Sequence, residues 1–195
     1  MLVVRRPVVF MDRDGTLTEE VGYVNHPRRL RLLPRSAEAI RRLNGAGFAA
    51  VVVTNQAGLA RGYFSEEILA AVNGSLLSQL KDDGAHLDAI YVCTHHPTEG
   101  APPYRMACDC RKPKPGLLLR AAEELGLDLS RATLVGDRGS DLEAARAVGA
   151  RAVLVLTGYG LGEWEYRRDT LAVAPDHVAE DLLGAVEWAI ESQRS

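Results

Sequence analysis

The chain has 195 residues, 47% of them hydrophobic, which favours one globular domain over residues 1–195 with a substantial core. A formal net charge of −3 argues against a nucleic-acid surface, and the apolar runs are too short to cross a membrane. The N-terminal segment has its basic residues inside an apolar run and lacks a signal-peptide cleavage pattern, so we expect a cytoplasmic protein.

Short apolar runs alternate with helical patterns along the chain. Strands are predicted within residues 3–11 and at 49–54, 88–93, 132–137 and 152–156. Helices are predicted at 34–43, from the N-cap Ser65 onward, at 116–126, at 140–150 with Ser140 as N-cap, and at 179–192. This alternation predicts an α/β fold with a mostly parallel sheet, in which residues 15–33, 94–115 and 157–178 are the least regular segments.

Polar side chains follow four of the predicted strands at the point where each strand ends. In strand order they are Asp12 and Asp14; Thr54, Asn55 and Gln56; Cys93 and His95; and Gly136, Asp137 and Asp141. Ligands of open parallel sheets bind beyond the carboxyl ends of the strands. We therefore expect these residues to form one functional site.

Three of these residues, Asp12, Asp14 and Asp137, predict a magnesium site, because Mg²⁺ binds carboxylates together with substrate oxygens. Asp12 at the strand tip is placed to attack phosphorus as a nucleophile, and Asp14 is placed to act as general acid and base. The Thr54 hydroxyl and the backbone N–H groups around Asn55 can stabilise the transferred phosphoryl group. The alternative is that these aspartates are ordinary turn residues.

A basic loop, CRKPKPG at residues 110–116, precedes a predicted helix. Lys112 stands directly before Pro113 in a stiff loop of prolines and a glycine, and is a candidate phosphate ligand. Arg111 suits a second anionic group, because its planar fork matches phosphate. The alternative is a solvated basic loop without a ligand.

The segment 93–110 contains every cysteine of the chain in a Cys-x-His, spacer, Cys-x-Cys pattern. Cys93, His95, Cys108 and Cys110 would give Zn²⁺ a complete tetrahedral set, which indicates a structural metal pinning the loop. His96 is the alternative to His95, and the symmetry of the spacing favours His95. The competing interpretation is three buried cysteines and a surface histidine.

Four stretches, DRDGT (12–16), VVVTN (51–55), RKP (111–113) and VGDRGSD (135–141), resemble the motifs of the haloacid dehalogenase-like (HAD) phosphatases in order. The resemblance implies a Rossmann-like sheet with helices on both faces and a Mg²⁺-dependent aspartyl-phosphate mechanism.

Within that superfamily, the stretches GYV (22–24), VVVTNQAGLARG (51–62), CTHHP (93–97) and CDCRKPKPG (108–116) are similar to the D-glycero-D-manno-heptose 1,7-bisphosphate 7-phosphatases. That family has no large cap domain and uses a zinc-bound loop instead. The match assigns zinc to the Cys₃His set at 93–110. It assigns Mg²⁺ to Asp12, to Asp14 through its backbone carbonyl, and to Asp137.

The same resemblance implies that Thr54 and Lys112 steady the phosphoryl group and that Arg111 contributes to substrate choice. The complete set of expected substrate-binding residues is Arg13, Glu20, Val21, Gly22, Tyr23, Thr54, Asn55, Gln56, Ala57, Arg111, Lys112 and Arg138. The expected partner is a small phosphorylated sugar, with no nucleic acid and no membrane, and the protein is expected to be a monomer.

Val21 and Arg138 depart from the family pattern, which often has a polar residue and a lysine at these positions. Alternative substrates are therefore histidinol phosphate, another small sugar phosphate, or a nucleic-acid 3′-phosphate end. The histidinol-phosphate phosphatases share DRDGT, TNQ and CDCRKPK, but they have a shorter cysteine spacer and lack GLARG. An alternative from another class is a zinc-stabilised binding module without catalysis, against which both Asp12 and Asp14 argue.

Overall fold

The computed structural model describes residues 5–193, and within them the chain forms a six-stranded parallel sheet. The strands are β1 Val8–Met11, β2 Ala49–Asn55, β3 Ala89–Cys93, β4 Thr133–Gly136, β5 Arg151–Val155 and β6 His177–Ala179. Their order across the sheet is β3-β2-β1-β4-β5-β6. The chain order reverses on either side of β1, which is the point where such sheets place their ligands.

Helices cover both faces of this sheet. They are α1 Ser36–Gly45, α2 Glu66–Asp82, α3 Gly116–Leu125, α4 Gly139–Ala147, α5 Gly160–Arg167 and α6 Leu182–Glu191. Alternate residues of β1 face opposite cores: Val9 and Met11 pack with α1, α2 and α6, while Val8 and Phe10 pack with α3 and α4. Full burial on both faces explains why the strand is continuously apolar in the sequence. The predicted α/β class with helices on both faces is confirmed.

The described residues contain no large cap domain over the sheet. The segments between β1 and α1, and between β3 and α3, lie at the carboxyl ends of the strands instead. None of the helices within residues 5–193 is long and apolar enough to cross a membrane.

Two details differ from the sequence predictions, and one part of a prediction is not tested. Residues 157–178, expected to be irregular, contain α5 and the start of β6. Helix α4 begins at Gly139, so Ser140 is not its N-cap; that position belongs to Arg138, whose backbone N–H donates to Asp141 Oδ2 (3.1 Å). Residues 3 and 4 of the first predicted strand lie outside the described part of the chain, and β1 itself begins at Val8.

Candidate active site

The end of β1 delivers Asp12 into a group of three carboxylates. Asp12 follows β1, Asp137 follows β4, and Asp141 lies in the first turn of α4. One carboxylate oxygen from each residue lies within 4.8 Å of those of the other two. The register between the two central strands holds this arrangement, since the Asp12 N–H donates to the Val135 carbonyl (3.0 Å).

Lys112 is the buried cation that faces these carboxylates. Its Nζ lies 3.0 Å from Asp12 Oδ1 and 2.6 Å from Asp141 Oδ1, as close ion pairs. Asn55 fixes the lysine backbone from both sides: its Nδ2 donates to the Lys112 carbonyl (3.0 Å) and its Oδ1 accepts from the Lys112 N–H (3.1 Å). Burial alone would lower the pKa of Lys112, but the two carboxylates outweigh it and raise the pKa, so the lysine stays charged.

One lysine does not neutralise three carboxylates. Burial raises the pKa of Asp137 to about 8, and repulsion from Asp12 adds to the effect. Burial also raises the pKa of Asp141 to about 6, although Lys112 opposes the shift. Asp137 Oδ1 is buried and has no hydrogen-bond partner among the described residues. An unpartnered carboxylate oxygen beside two further carboxylates fits a divalent cation, which would supply the missing positive charge.

The carboxylate of Asp14 is held apart from this group. It accepts hydrogen bonds from Arg13 Nε (3.1 Å) and Nη2 (2.8 Å) and from Gln56 Nε2 (2.7 Å). The same Gln56 nitrogen also donates to Thr54 Oγ1 (2.9 Å). Asp14 therefore has a fixed orientation at the edge of the site, and Asp141 takes the third place among the clustered carboxylates.

The expectation that Arg13 lines the substrate site is not met by its side chain. The side chain is fully buried, where it pairs with Asp14 and donates to Asn73 Oδ1 (3.2 Å). A buried guanidinium needs a carboxylate partner, and Asp14 is the carboxylate within reach. Of Arg13, it is the backbone that faces Asp12, because its N–H donates to Asp12 Oδ1 (2.8 Å).

A cavity of about 400 Å³ opens above these groups at the carboxyl ends of the strands. Its lining consists of Asp12, Asp14, Glu20, Gly22, Tyr23, Thr54, Asn55, Gln56, Ala57, Arg111, Lys112, Arg138, Ser140, Asp141 and Tyr159. Val21, predicted to belong to this site, is exposed and lines a neighbouring surface groove instead. Asp137 is fully buried and is not part of the cavity lining. Two lining residues, Ser140 and Tyr159, were not predicted for the site, and Asp141 was expected there but without a metal or substrate role.

A second cluster lies where β3 ends. The Sγ atoms of Cys93, Cys108 and Cys110 are 3.1–3.7 Å apart, and His95 Nδ1 is 3.2 Å from Cys110 Sγ. Sulfurs bound tetrahedrally to zinc are about 3.7 Å apart, so the donor set and its size both fit the metal. Burial raises the pKa of the Cys93 thiol, and zinc would offset that effect by binding the thiolate.

The neighbouring histidine faces elsewhere. His96 Nδ1 accepts from the backbone of Glu99 (3.0 Å), and its Nε2 lies 3.2 Å from Arg61 Nη2. Of the two candidates, the structure therefore brings His95 to the cysteines.

Comparison with known proteins places this geometry in a family. The model of the HAD-hydrolase-like family matches residues 109–185. The D-glycero-D-manno-heptose-1,7-bisphosphate 7-phosphatase of Thermosynechococcus vestitus is 42% identical over 192 residues, covering 94% of this chain and 95% of the relative. The D-glycero-beta-D-manno-heptose-1,7-bisphosphate 7-phosphatase of Escherichia coli K12 is 43% identical over 154 residues, covering 78% and 80%.

This chain belongs to the heptose bisphosphate 7-phosphatase family of HAD-like phosphatases. It is similar in structure to the D,D-heptose 1,7-bisphosphate phosphatase of B. bronchiseptica, solved with magnesium and phosphate. The TM-score is 0.84 at 34% identity, over 95% of this chain and 99% of that chain. The chain is thus a phosphoric monoester hydrolase, as its motifs predicted.

Metal analysis of a cysteine variant tests whether the Cys₃His cluster of this phosphatase binds zinc. Replacing Cys108 with serine removes one of four ligands. The loss should weaken zinc binding by roughly a quarter of its free energy, or about 3 kcal/mol. We expect the variant to contain little zinc after dialysis and to unfold at a lower temperature, as measured by mass spectrometry of metals and by calorimetry.

Asp109 supplies the matched control for this experiment. It lies between two of the candidate ligands, but its side chain is exposed and pairs with Lys114 at the surface. The D109S variant should retain one zinc per chain. Full zinc occupancy in C108S would rule out Cys108 as a ligand.

Proposed function

We propose that this chain is a Mg²⁺-dependent phosphomonoesterase that removes the 7-phosphate of D-glycero-D-manno-heptose 1,7-bisphosphate through an aspartyl-phosphate. The observation that carries the proposal is the arrangement around the end of β1. Asp12 faces the buried charge of Lys112, and Asp14, two residues on, is held by Arg13 and Gln56. The different partners give the two carboxylates different roles within one short motif: Asp12 is the nucleophile, and Asp14 is the general acid and base.

The chain's own groups account for the proton transfers. The Asp12 carboxylate attacks phosphorus, and Asp14 protonates the leaving oxygen of the sugar. Asp14, now a carboxylate, takes a proton from the water that attacks the aspartyl-phosphate, which restores the Asp12 carboxylate and the protonated Asp14. Lys112 neutralises negative charge on the phosphoryl oxygens, and the Thr54 hydroxyl donates a hydrogen bond to them. Positioning and charge neutralisation of this kind are the main requirements of phosphoryl transfer. Both residues line the cavity beside Asp12.

Asp12, Asp137 and the backbone carbonyl of Asp14 are the groups we propose for Mg²⁺. Asp141, already paired with Lys112, completes the negative surroundings of the ion. When bound, the ion supplies positive charge for the phosphate oxygens. The unpartnered Oδ1 of Asp137 supports this assignment.

Zinc in the Cys₃His cluster is proposed to be structural, because all four positions would be filled by protein. The cluster ends at Cys110, directly before Arg111 and Lys112, so the pinned loop presents both cations to the cavity.

The cavity chemistry supports a bisphosphate substrate. Lys112 and the carboxylates occupy the reacting end, whereas Arg111 and Arg138 are further cations of the lining. Guanidinium groups match phosphate oxygens in pairs, so a second phosphate is the natural ligand for them. Relatives of this chain are named for a heptose that carries phosphates at C1 and C7.

Phosphate release from a small panel tests the proposal. The panel is both anomers of heptose 1,7-bisphosphate, fructose 1,6-bisphosphate and histidinol phosphate, each with and without Mg²⁺, with ³¹P NMR to identify the phosphate lost. We expect kcat/KM to be at least about tenfold higher for one heptose anomer, with loss at C7 only. Equal rates on all four compounds, or turnover without Mg²⁺, would contradict the substrate or the mechanism respectively.

A further inference from the structure

Arg138 lies over an aromatic ring at the edge of the cavity. Its guanidinium carbon is 3.7 Å from the centroid of the Tyr159 ring, and both residues line the cavity. Its Nη2 is also 3.7 Å from Glu20 Oε2. The arginine is thus held between a ring face and a carboxylate, while its side chain keeps 47% of its surface exposed.

The backbone around Tyr159 is fixed on both sides. The Tyr159 N–H donates to Asp137 Oδ2 (2.8 Å), and Thr157 Oγ1 donates to the Gly15 carbonyl (2.6 Å). A Cβ on Gly158 would collide with Asp137 and Gly15, and a Cβ on Gly160 would collide with the Val155 carbonyl. These contacts fix the backbone that carries the Tyr159 ring, and the ring itself, 46% exposed, lies against the Arg138 guanidinium.

Stacking on a ring changes which parts of the Arg138 guanidinium are available to bind a ligand. Without the ring, the long arginine side chain would close its present 3.7 Å separation from Glu20 Oε2 and leave the cavity less positive. Contact with a ring engages the face of the guanidinium and leaves the N–H groups of its edge free for a phosphate. A lysine at position 138 could not use the ring in this way, since its ammonium has no planar face.

We propose that Tyr159 is a positioning residue that holds Arg138 to receive the second phosphate of the substrate. The inference rests on the proposed function, in which the substrate is a bisphosphate. Tyr159 acts on affinity for the doubly phosphorylated sugar and not on the reacting phosphate. Its hydrogen bond to the proposed metal ligand Asp137 comes from the backbone N–H, which an alanine at position 159 would keep.

Steady-state kinetics of Tyr159→Ala, Tyr159→Phe and Arg138→Ala, with the double variant Y159A/R138A, test this role. The substrates are heptose 1,7-bisphosphate and the same sugar phosphorylated only at C7. We expect Y159A to raise KM for the bisphosphate about fivefold, the size of one partly exposed cation–π contact, with a much smaller change in kcat. Y159F keeps the ring and should restore the KM, and Y159A should add nothing in the R138A background.

The 7-monophosphate and a control variant make the outcome decisive. Tyr166 in the adjacent α5 is 84% exposed, and Tyr166→Ala should behave as the unchanged protein on both substrates. Y159A should weaken the preference for the bisphosphate over the monophosphate. An unchanged KM in Y159A, or equal losses with and without Arg138, would overturn the inference. If the unchanged protein shows no preference for the bisphosphate, the proposed substrate has failed instead.

Discussion

Replacing Asp12 with asparagine is expected to lower kcat by at least about 10⁴-fold, because the amide cannot attack phosphorus or form the aspartyl-phosphate. The fold should survive, since asparagine has nearly the same shape and Oδ1 can still accept the Arg13 N–H. The substitution also removes one of the charges that raise the pKa of Asp137. Phosphate release measures the loss of turnover, and the circular dichroism spectrum measures whether the fold survives.

Asp169→Asn is the matched control for this variant. The Asp169 side chain is 96% exposed and its nearest cation, Arg168 Nε, is 4.0 Å away. It should match the unchanged protein in both assays. If D12N folded normally and kept substantial turnover, Asp12 would not be the nucleophile.

Replacing Lys112 with methionine is expected to damage both stability and turnover. The substitution keeps the length of the side chain but leaves Asp12 and Asp141 without their buried cation. Breaking such a pair costs about 3–5 kcal/mol, and protonation of Asp141, whose pKa is already raised to about 6, should bring the cost toward the lower end. The loss of a phosphate-facing charge should lower kcat by about 10³-fold. Urea unfolding and phosphate release measure these quantities.

Lys114 allows a control in the same loop. Its side chain is 53% exposed and pairs with the exposed Asp109 at 3.1 Å. Surface ion pairs contribute little, so Lys114→Met should change the free energy of unfolding by less than about 1 kcal/mol and leave turnover intact. Equal effects at positions 112 and 114 would mean that the burial of Lys112 has no functional consequence.

The sequence predicted most of the sheet because buried parallel strands and strand-end polar residues leave strong local signals. The apolar run before Asp12 and the run before Asn55 correspond to β1 and β2. Residues 157–178 gave a weak signal. Helix α5 is short, contains two glycines and has one buried residue, Gly160, and β6 has only three residues, so neither shows a full period of apolar positions.

The residues whose roles the sequence missed or misassigned depend on contacts between distant segments. Arg13 lies between two aspartates, so its side chain could point into the site or into the core. It points into the core, where its Nη1 donates to Oδ1 of Asn73, sixty residues later (3.2 Å). Asp141 belongs to a recognisable GDxxxD pattern, but its ion pair with Lys112 joins two segments that are distant in the sequence, so only the folded structure shows it. Tyr159 enters the cavity because Gly158 and Gly160 pack against Asp137 and Val155, and no local pattern reports that packing.

Chemical trapping of residue 12 during turnover tests the central claim most directly. Enzyme mixed with heptose 1,7-bisphosphate and Mg²⁺ is quenched in acid and treated with borohydride, which reduces an acyl phosphate to an alcohol. The account predicts homoserine at position 12 in peptide mass spectra, and none when substrate is omitted. An unmodified Asp12 beside an acyl phosphate on another carboxylate, such as Asp14 or Asp141, would contradict the account.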